Sequence, residues 1–176
     1  MTMKSAIRFA SILYLTVVST QVEAKVAAIS FDELVRGSSV IVIARIESVK
    51  PRFLKPLGDQ FARATVLEVW KGPSELREVE FLASPTWMCD ISGAEVGENV
   101  VLFLELESSS RHYKIMHAGR GRMPFRKVDG RELATIWPDV VLPKGTHTEP
   151  GPEPEYDFIR SVAVPVLKQL VLKPRV

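Results

Sequence analysis

The chain has 176 residues, with 23 Lys and Arg against 21 Asp and Glu, three histidines and a single cysteine. A net charge of +2 gives no reason to expect nucleic acid or an anionic membrane surface as a partner. One cysteine rules out a framework of internal disulfides, so the fold must hold by packing.

The first two dozen residues read as an export signal. Lys4 and Arg8 make a basic start, Phe9 to Val18 is an apolar run, and Val22 and Ala24 are the small residues a signal peptidase accepts before its cut. The run is far shorter than the ~20 apolar residues that span a bilayer, so no stable membrane span is expected. Cleavage after Ala24 leaves Lys25 as the first residue, with 21 basic and 20 acidic residues remaining. The expected location is periplasmic or extracellular, and the remaining ~150 residues suit one domain with a real core.

Ser30-Phe31-Asp32-Glu33 fits a capping box, and Gly37 stands where a left-handed residue ends a helix of about two turns. Val40 to Ile43 is apolar on both faces, whereas Arg45 and Glu47 alternate with Ala44 and Ile46. That is a strand covered on both sides at one end and wet at the other, with the short helix as its lid. Pro51 and Pro56 bound a loop in which Phe53 and Leu54 either pack back or form a contact patch. Ala62 to Trp70 is a second strand whose phase changes at Leu67 and Val69, the mark of a β-bulge. Arg77 to Leu82 is a third, with Val79 and Phe81 inward.

Ser84 to Asp90 reads as a loop, Asn99 to Glu107 as a strong strand and Tyr113 to Ala118 as its partner. Asp129-Gly130 is a hairpin turn. Lys144 to Glu155 is a polar, proline-rich and extended connector. Ile159, Val162, Val166 and Leu170 have helical spacing, with Pro165 kinking or splitting that helix. The expected fold is mainly β: a five-stranded OB-like barrel with a short N-terminal helix and a C-terminal helix. Residues 1–24 are the signal, 25–143 the barrel with a hairpin extension, and 144–176 the connector and C-terminal helix.

Three stretches together resemble the TIMP-like, netrin-module OB-fold family. They are Phe31 to Val35, then Ser39 to Val49, then Ala64 to Gly72 with its Val69-Trp70-Lys71-Gly72 ending. Cys89, Gly97 and the apolar run Val100 to Leu104 are similar to the family's cysteine, glycine and strand, and the likeness covers roughly Ser30 to Gly121. The resemblance implies a secreted, bacterial-type barrel. It does not bring the family's zinc-chelating wedge, which needs a cysteine at the mature N-terminus where this chain has Lys25. Nor can the family's disulfides form here.

Chemistry is sparsely signalled. His112 and His117, five apart on an expected strand, fall on opposite faces and cannot share a metal. No G-x-S-x-G, H-E-x-x-H or phosphate-binding glycine loop occurs, and Gly119-x-Gly121 reads as a barrel corner. No metal or cofactor is therefore expected. Cys89 is a small buried residue, an intermolecular disulfide partner or a reactive thiol with His117 as base. Arg120, Arg122, Arg126, Lys127 and Arg131 form either a solvated hairpin or a docking surface for an anionic partner. The expected function is a non-enzymatic module binding another protein or an envelope component. The alternatives are an envelope enzyme using Cys89, or a metalloproteinase inhibitor working without the N-terminal cysteine.

Overall fold

The computed structural model of the chain describes residues 26–51, 59–85, 89–109, 111–151 and 159–173. The expected features at Phe53, Leu54 and the signal segment lie outside these residues. In chain order the elements are β1 (Ile29–Ser30), α1 (Phe31–Gly37), β2 (Val40–Pro51), β3 (Gln60–Lys71), β4 (Glu78–Leu82), β5 (Asn99–Leu106) and β6 (Tyr113–Ile115). There follow β7 (Arg122–Val128), β8 (Arg131–Ile136), β9 (Val140–Val141), β10 (Glu149–Pro150), β11 (Arg160–Ala163) and α2 (Val164–Leu172).

A closed barrel forms because β2 pairs with both β3 and β5, β3 with β4, β4 with β6 in parallel, and β6 with β5. This is the expected five-stranded OB-like barrel. Its interior is filled by Val42, Ala44, Ile46, Ala62, Ala64, Phe81, Val100, Leu102 and Leu104, all within 1% of full burial. The β2–β3 register slips three times, at Trp70, Leu67 and Glu47. The first two slips account for the phase change in β3, each inserting one residue that bends the strand round the barrel. The slip at Trp70 turns its ring into the outer core, while Leu67 is left exposed.

That outer core exists because β2 and β5 are apolar on both faces. Ile41, Val101 and Phe103 point away from the barrel and pack with Phe31, Leu34, Val35, Leu167 and Val171 of the two helices. From β5 the sheet continues through β7, β8, β11 and β10. Asp129 and Gly130 (φ 49° and 80°) make the β7–β8 turn at the expected place.

Three expectations change. The C-terminal helix starts at Val164, not near Ile159, because Arg160–Ala163 pairs with β8 and Pro165 sits in the first turn, where its missing N–H costs nothing. The segment read as a connector contributes β10, which pairs with β11. Gly37 is not left-handed: it is the last residue of α1, and Ser38 follows it as the C-cap in an extended conformation.

The capping box forms as expected. Glu33 N–H donates to Ser30 Oγ at 3.2 Å, and Ser30 N–H donates to the Glu33 carboxylate at 3.0 Å. At the other end of α1, Lys71 Nζ donates to the carbonyls of Val35 and Arg36 at 2.8 and 3.2 Å, which gives the lysine of the Val69–Gly72 stretch a physical task. The Ser30 hydroxyl and backbone bonds hold Glu33 below the usual carboxylate range. A depressed acid stabilises the fold above its unfolded value and loses that contribution as pH falls through its folded one. Ser30→Ala is therefore expected to lower Tm by about 2–4 °C at neutral pH. The gap between the melts of the two proteins should narrow below the carboxylate range, where the Glu33 N–H to Ser30 Oγ bond still separates them, and a gap unchanged by acid would show that the Glu33 carboxylate takes no part.

A polar cleft where the barrel seam opens

The parallel pairing of β4 with β6 stops at Leu82↔Lys114. Beyond it the two strands are drawn apart. Ala83 N–H donates to Gln60 O at 2.8 Å, and Ser84 Oγ bonds the Gln60 backbone, holding β4 to β3. Met116 N–H donates to Phe103 O at 2.9 Å, holding the other side to β5. The splayed seam opens into a cleft of about 390 Å³, lined by Leu82, Ser84, Asp90, Ser92, Glu105, Lys114 and residues 115–118.

Its far wall is a backbone held in an uncommon form. His117, Ala118 and Gly119 follow one another at φ 52°, 49° and 86°, so the expected strand Tyr113–Ala118 ends at Ile115 and His117 lies in the turn beyond it. A non-glycine residue held there costs roughly 1 kcal/mol or more and persists only where its surroundings fix it. Here they do. A Cβ on Gly119 would lie 2.4 Å from the Ile91 carbonyl carbon, and Ile91 N–H donates to Ala118 O at 3.1 Å. His117 Nε2 lies 2.6 Å from Ala27 O, which can only accept, so that nitrogen carries the proton. The Gly119-x-Gly121 pair thus serves close packing, since a Cβ on Gly121 would also lie 2.7 Å from Phe103 O.

Arg120 pins this wall. Its Nε and Nη2 donate to Asp139 Oδ2 at 3.1 and 2.9 Å, and its Nη1 donates to the carbonyls of Cys89 and Ala118. Cys89 itself is half-buried rather than in the core. Next to it Asp90 makes an Asx turn, its Oδ1 accepting from Ser92 N–H at 2.9 Å and from the Ser92 hydroxyl. Lys114 pairs with Glu105 at 2.7 Å, and that carboxylate raises the Lys114 ammonium above the usual lysine range.

The five basic residues of residues 120–131 are not gathered on one surface. Arg120 is buried on Asp139, and Arg122 makes a two-pronged pair with Glu98 at 3.0 and 2.7 Å. Burial raises the Glu98 carboxyl against the pull of Arg122. Arg131 crosses to Glu149 on β10, and Arg126 and Lys127 are exposed on β7. His112 stands edge-on to the Phe61 ring at 4.9 Å, on another part of the barrel. Among the described residues no group of His, Cys, Asp and Glu has a metal-binding arrangement, and no helix is long and apolar enough to cross a membrane. Ser84, Ser92 and Lys114 carried no sequence signal, although Asp90-x-Ser92 has the spacing of an Asx turn.

No family model matches the chain, and a search of curated proteins finds no relative.

Proposed function

We propose that the chain is an exported interaction module that binds another protein or an envelope component and performs no chemistry of its own. In this reading it is a TIMP-like, netrin-module barrel that works without an N-terminal cysteine. The observation that carries the reading is the contrast between the two concave parts of the barrel. Its interior is packed solid, whereas the seam is held open by a strained backbone fixed from several sides. Strain maintained in this way at a cleft is the mark of a surface shaped for recognition.

Export is tested by N-terminal sequencing of protein recovered outside the cytoplasm. Lys25 is expected as the first residue, and an intact Met1 there would overturn the export signal. Binding is tested by passing the exported fraction of the source cells over the immobilised chain and over Ala118→Trp, which plugs the cleft. A partner retained by the first and lost by the second is expected. Equal retention by both would sink the cleft as the binding surface.

A further inference from the structure

The first described residues of the chain are held by parts of it made much later. Val26 is buried, the Ala27 carbonyl accepts from His117 Nε2 at 2.6 Å, and Ile29 N–H donates to Asp139 O at 2.8 Å. Ile29 and Ser30 then pair with Val140 and Val141 as the parallel strands β1 and β9, and Ser30 caps α1. The receiving groups are themselves fixed. His117 stands in the left-handed turn, and the Asp139 carboxylate is gripped by Arg120. Because His117 lies 90 residues beyond Ala27, and Asp139 farther still, this docking surface exists only once the rest of the domain has folded.

The anchoring lies hard against the expected export cut. Only Lys25 stands between the Ala24–Lys25 bond and Val26, and Ala27 is the third residue beyond Ala24. Fully extended, two residues of chain reach about 7 Å. A protease takes its substrate as an extended strand and pairs with the backbone on both sides of the bond it cuts. Backbone that is already bonded or buried cannot enter such a cleft until it opens locally.

We propose that residues 26–30 form a latch: once docked on His117, Asp139 and Val140, they withdraw the Ala24–Lys25 bond from signal peptidase, so the cut has to come before the segment docks. The inference rests on the export reading and adds an order of events to it. The cut is a hydrolysis, in which water adds across the Ala24–Lys25 amide and leaves a carboxylate on Ala24 and an amine on Lys25. That step needs nothing from the folded domain, whereas the latch needs residues 117–141. A chain exported N-terminus first is therefore cut while those residues are still unfolded, and its new N-terminal segment docks afterwards.

The test uses the full-length chain, Met1 to Val176, in two states: folded, and diluted from urea at the moment signal peptidase in detergent micelles is added. Mass spectrometry follows the product with time, and hydrogen exchange at the Ile29 amide reports whether the latch is closed. The folded chain is expected to protect Ile29 and to be cut at least about tenfold more slowly than the freshly diluted one, because only its opened fraction is a substrate. The decisive variant inserts Gly-Ser-Gly-Ser-Gly-Ser between Lys25 and Val26. It moves the bond up to about 20 Å along the chain from the latch and leaves every anchoring residue in place. Folded, it should be cut within about twofold of the freshly diluted rate. His117→Gly suits the left-handed backbone and removes only the bond to Ala27, so with circular dichroism reporting a folded chain it should speed the cut by about threefold or more.

Equal rates for the folded and freshly diluted chain, an Ile29 amide left unprotected in the folded chain, or a slow folded chain that the spacer does not speed would overturn the latch. The two readings also separate. A cut equally fast in both states sinks the latch and leaves the export signal standing, whereas no cut at Ala24–Lys25 in the freshly diluted chain sinks the export signal and the latch with it.

Discussion

Arg120→Ala is expected to cost about 3 kcal/mol, at the low end for breaking a buried ion pair because Asp139 keeps some contact with water. In a domain of this size that is a fall of about 6–12 °C in Tm. The loss goes beyond one pair. The guanidinium joins Asp139 to the carbonyls of Cys89 and Ala118, and the Asp139 carbonyl in turn accepts from Ile29 N–H at 2.8 Å. Removing it leaves a carboxylate and two carbonyls without that donor and frees the left-handed turn to relax. Amide exchange at Ile91, whose N–H is held by Ala118, should rise together with the fall in Tm. Arg120→Lys keeps the charge but not the fork, and should recover only part of the loss. Removing both partners as Arg120→Leu/Asp139→Leu should cost less than Arg120→Ala alone, since no charge is stranded. Lys127→Ala, on the exposed face of β7, should stay within about 0.5 kcal/mol of the parent. If Arg120→Ala were as mild as Lys127→Ala, the cleft wall would have to be held by something else.

The same residue marks the boundary of what the sequence made legible. Local signals were read correctly where a few neighbours decide the outcome: the Ser30–Glu33 box, the Asp129-Gly130 turn and the phase change at Leu67 all rest on short-range chemistry. The doubly apolar half of β2 was legible too, because a strand needs Val40 to Ile43 only if both faces are covered. Arg120 looked like its neighbours Arg122 and Arg126 because its fate depends on Asp139, nineteen residues away and on the far side of a hairpin. The strand at Arg160–Ala163 was hidden for a related reason. Its two apolar residues suit a helix or a strand equally, and only pairing with β8 decides. The cleft had no signature because it comes from two strands parting, and no residue in either is unusual for its place.

Phe103→Ala is expected to be the most damaging single truncation, at about 3–5 kcal/mol. The side chain is fully buried and meets Phe31 edge to face, with ring centres 5.6 Å apart and planes at 77°. Its backbone is bonded on both sides, to Gly121 and Met116, and Gly121 lies too close for the strand to shift into the space left behind. A double-mutant cycle with Phe31→Leu and Phe103→Leu should give a coupling of about 0.5–1.5 kcal/mol. The sharper question is how the two cores communicate. Leu102, next along β5, faces the barrel interior, while Phe103 faces the helices. If the barrel and the helical layer were separable, Leu102→Ala would weaken one and Phe103→Ala the other, and each variant would melt in two steps. One strand carries both cores, however, and β2 does the same beside it, with Val42 inward and Ile41 outward. Neither layer can lose β5 and remain folded. Both variants should therefore melt in a single step, with the calorimetric and van't Hoff enthalpies in agreement. Two resolved transitions in either would show that the barrel stands without its helices.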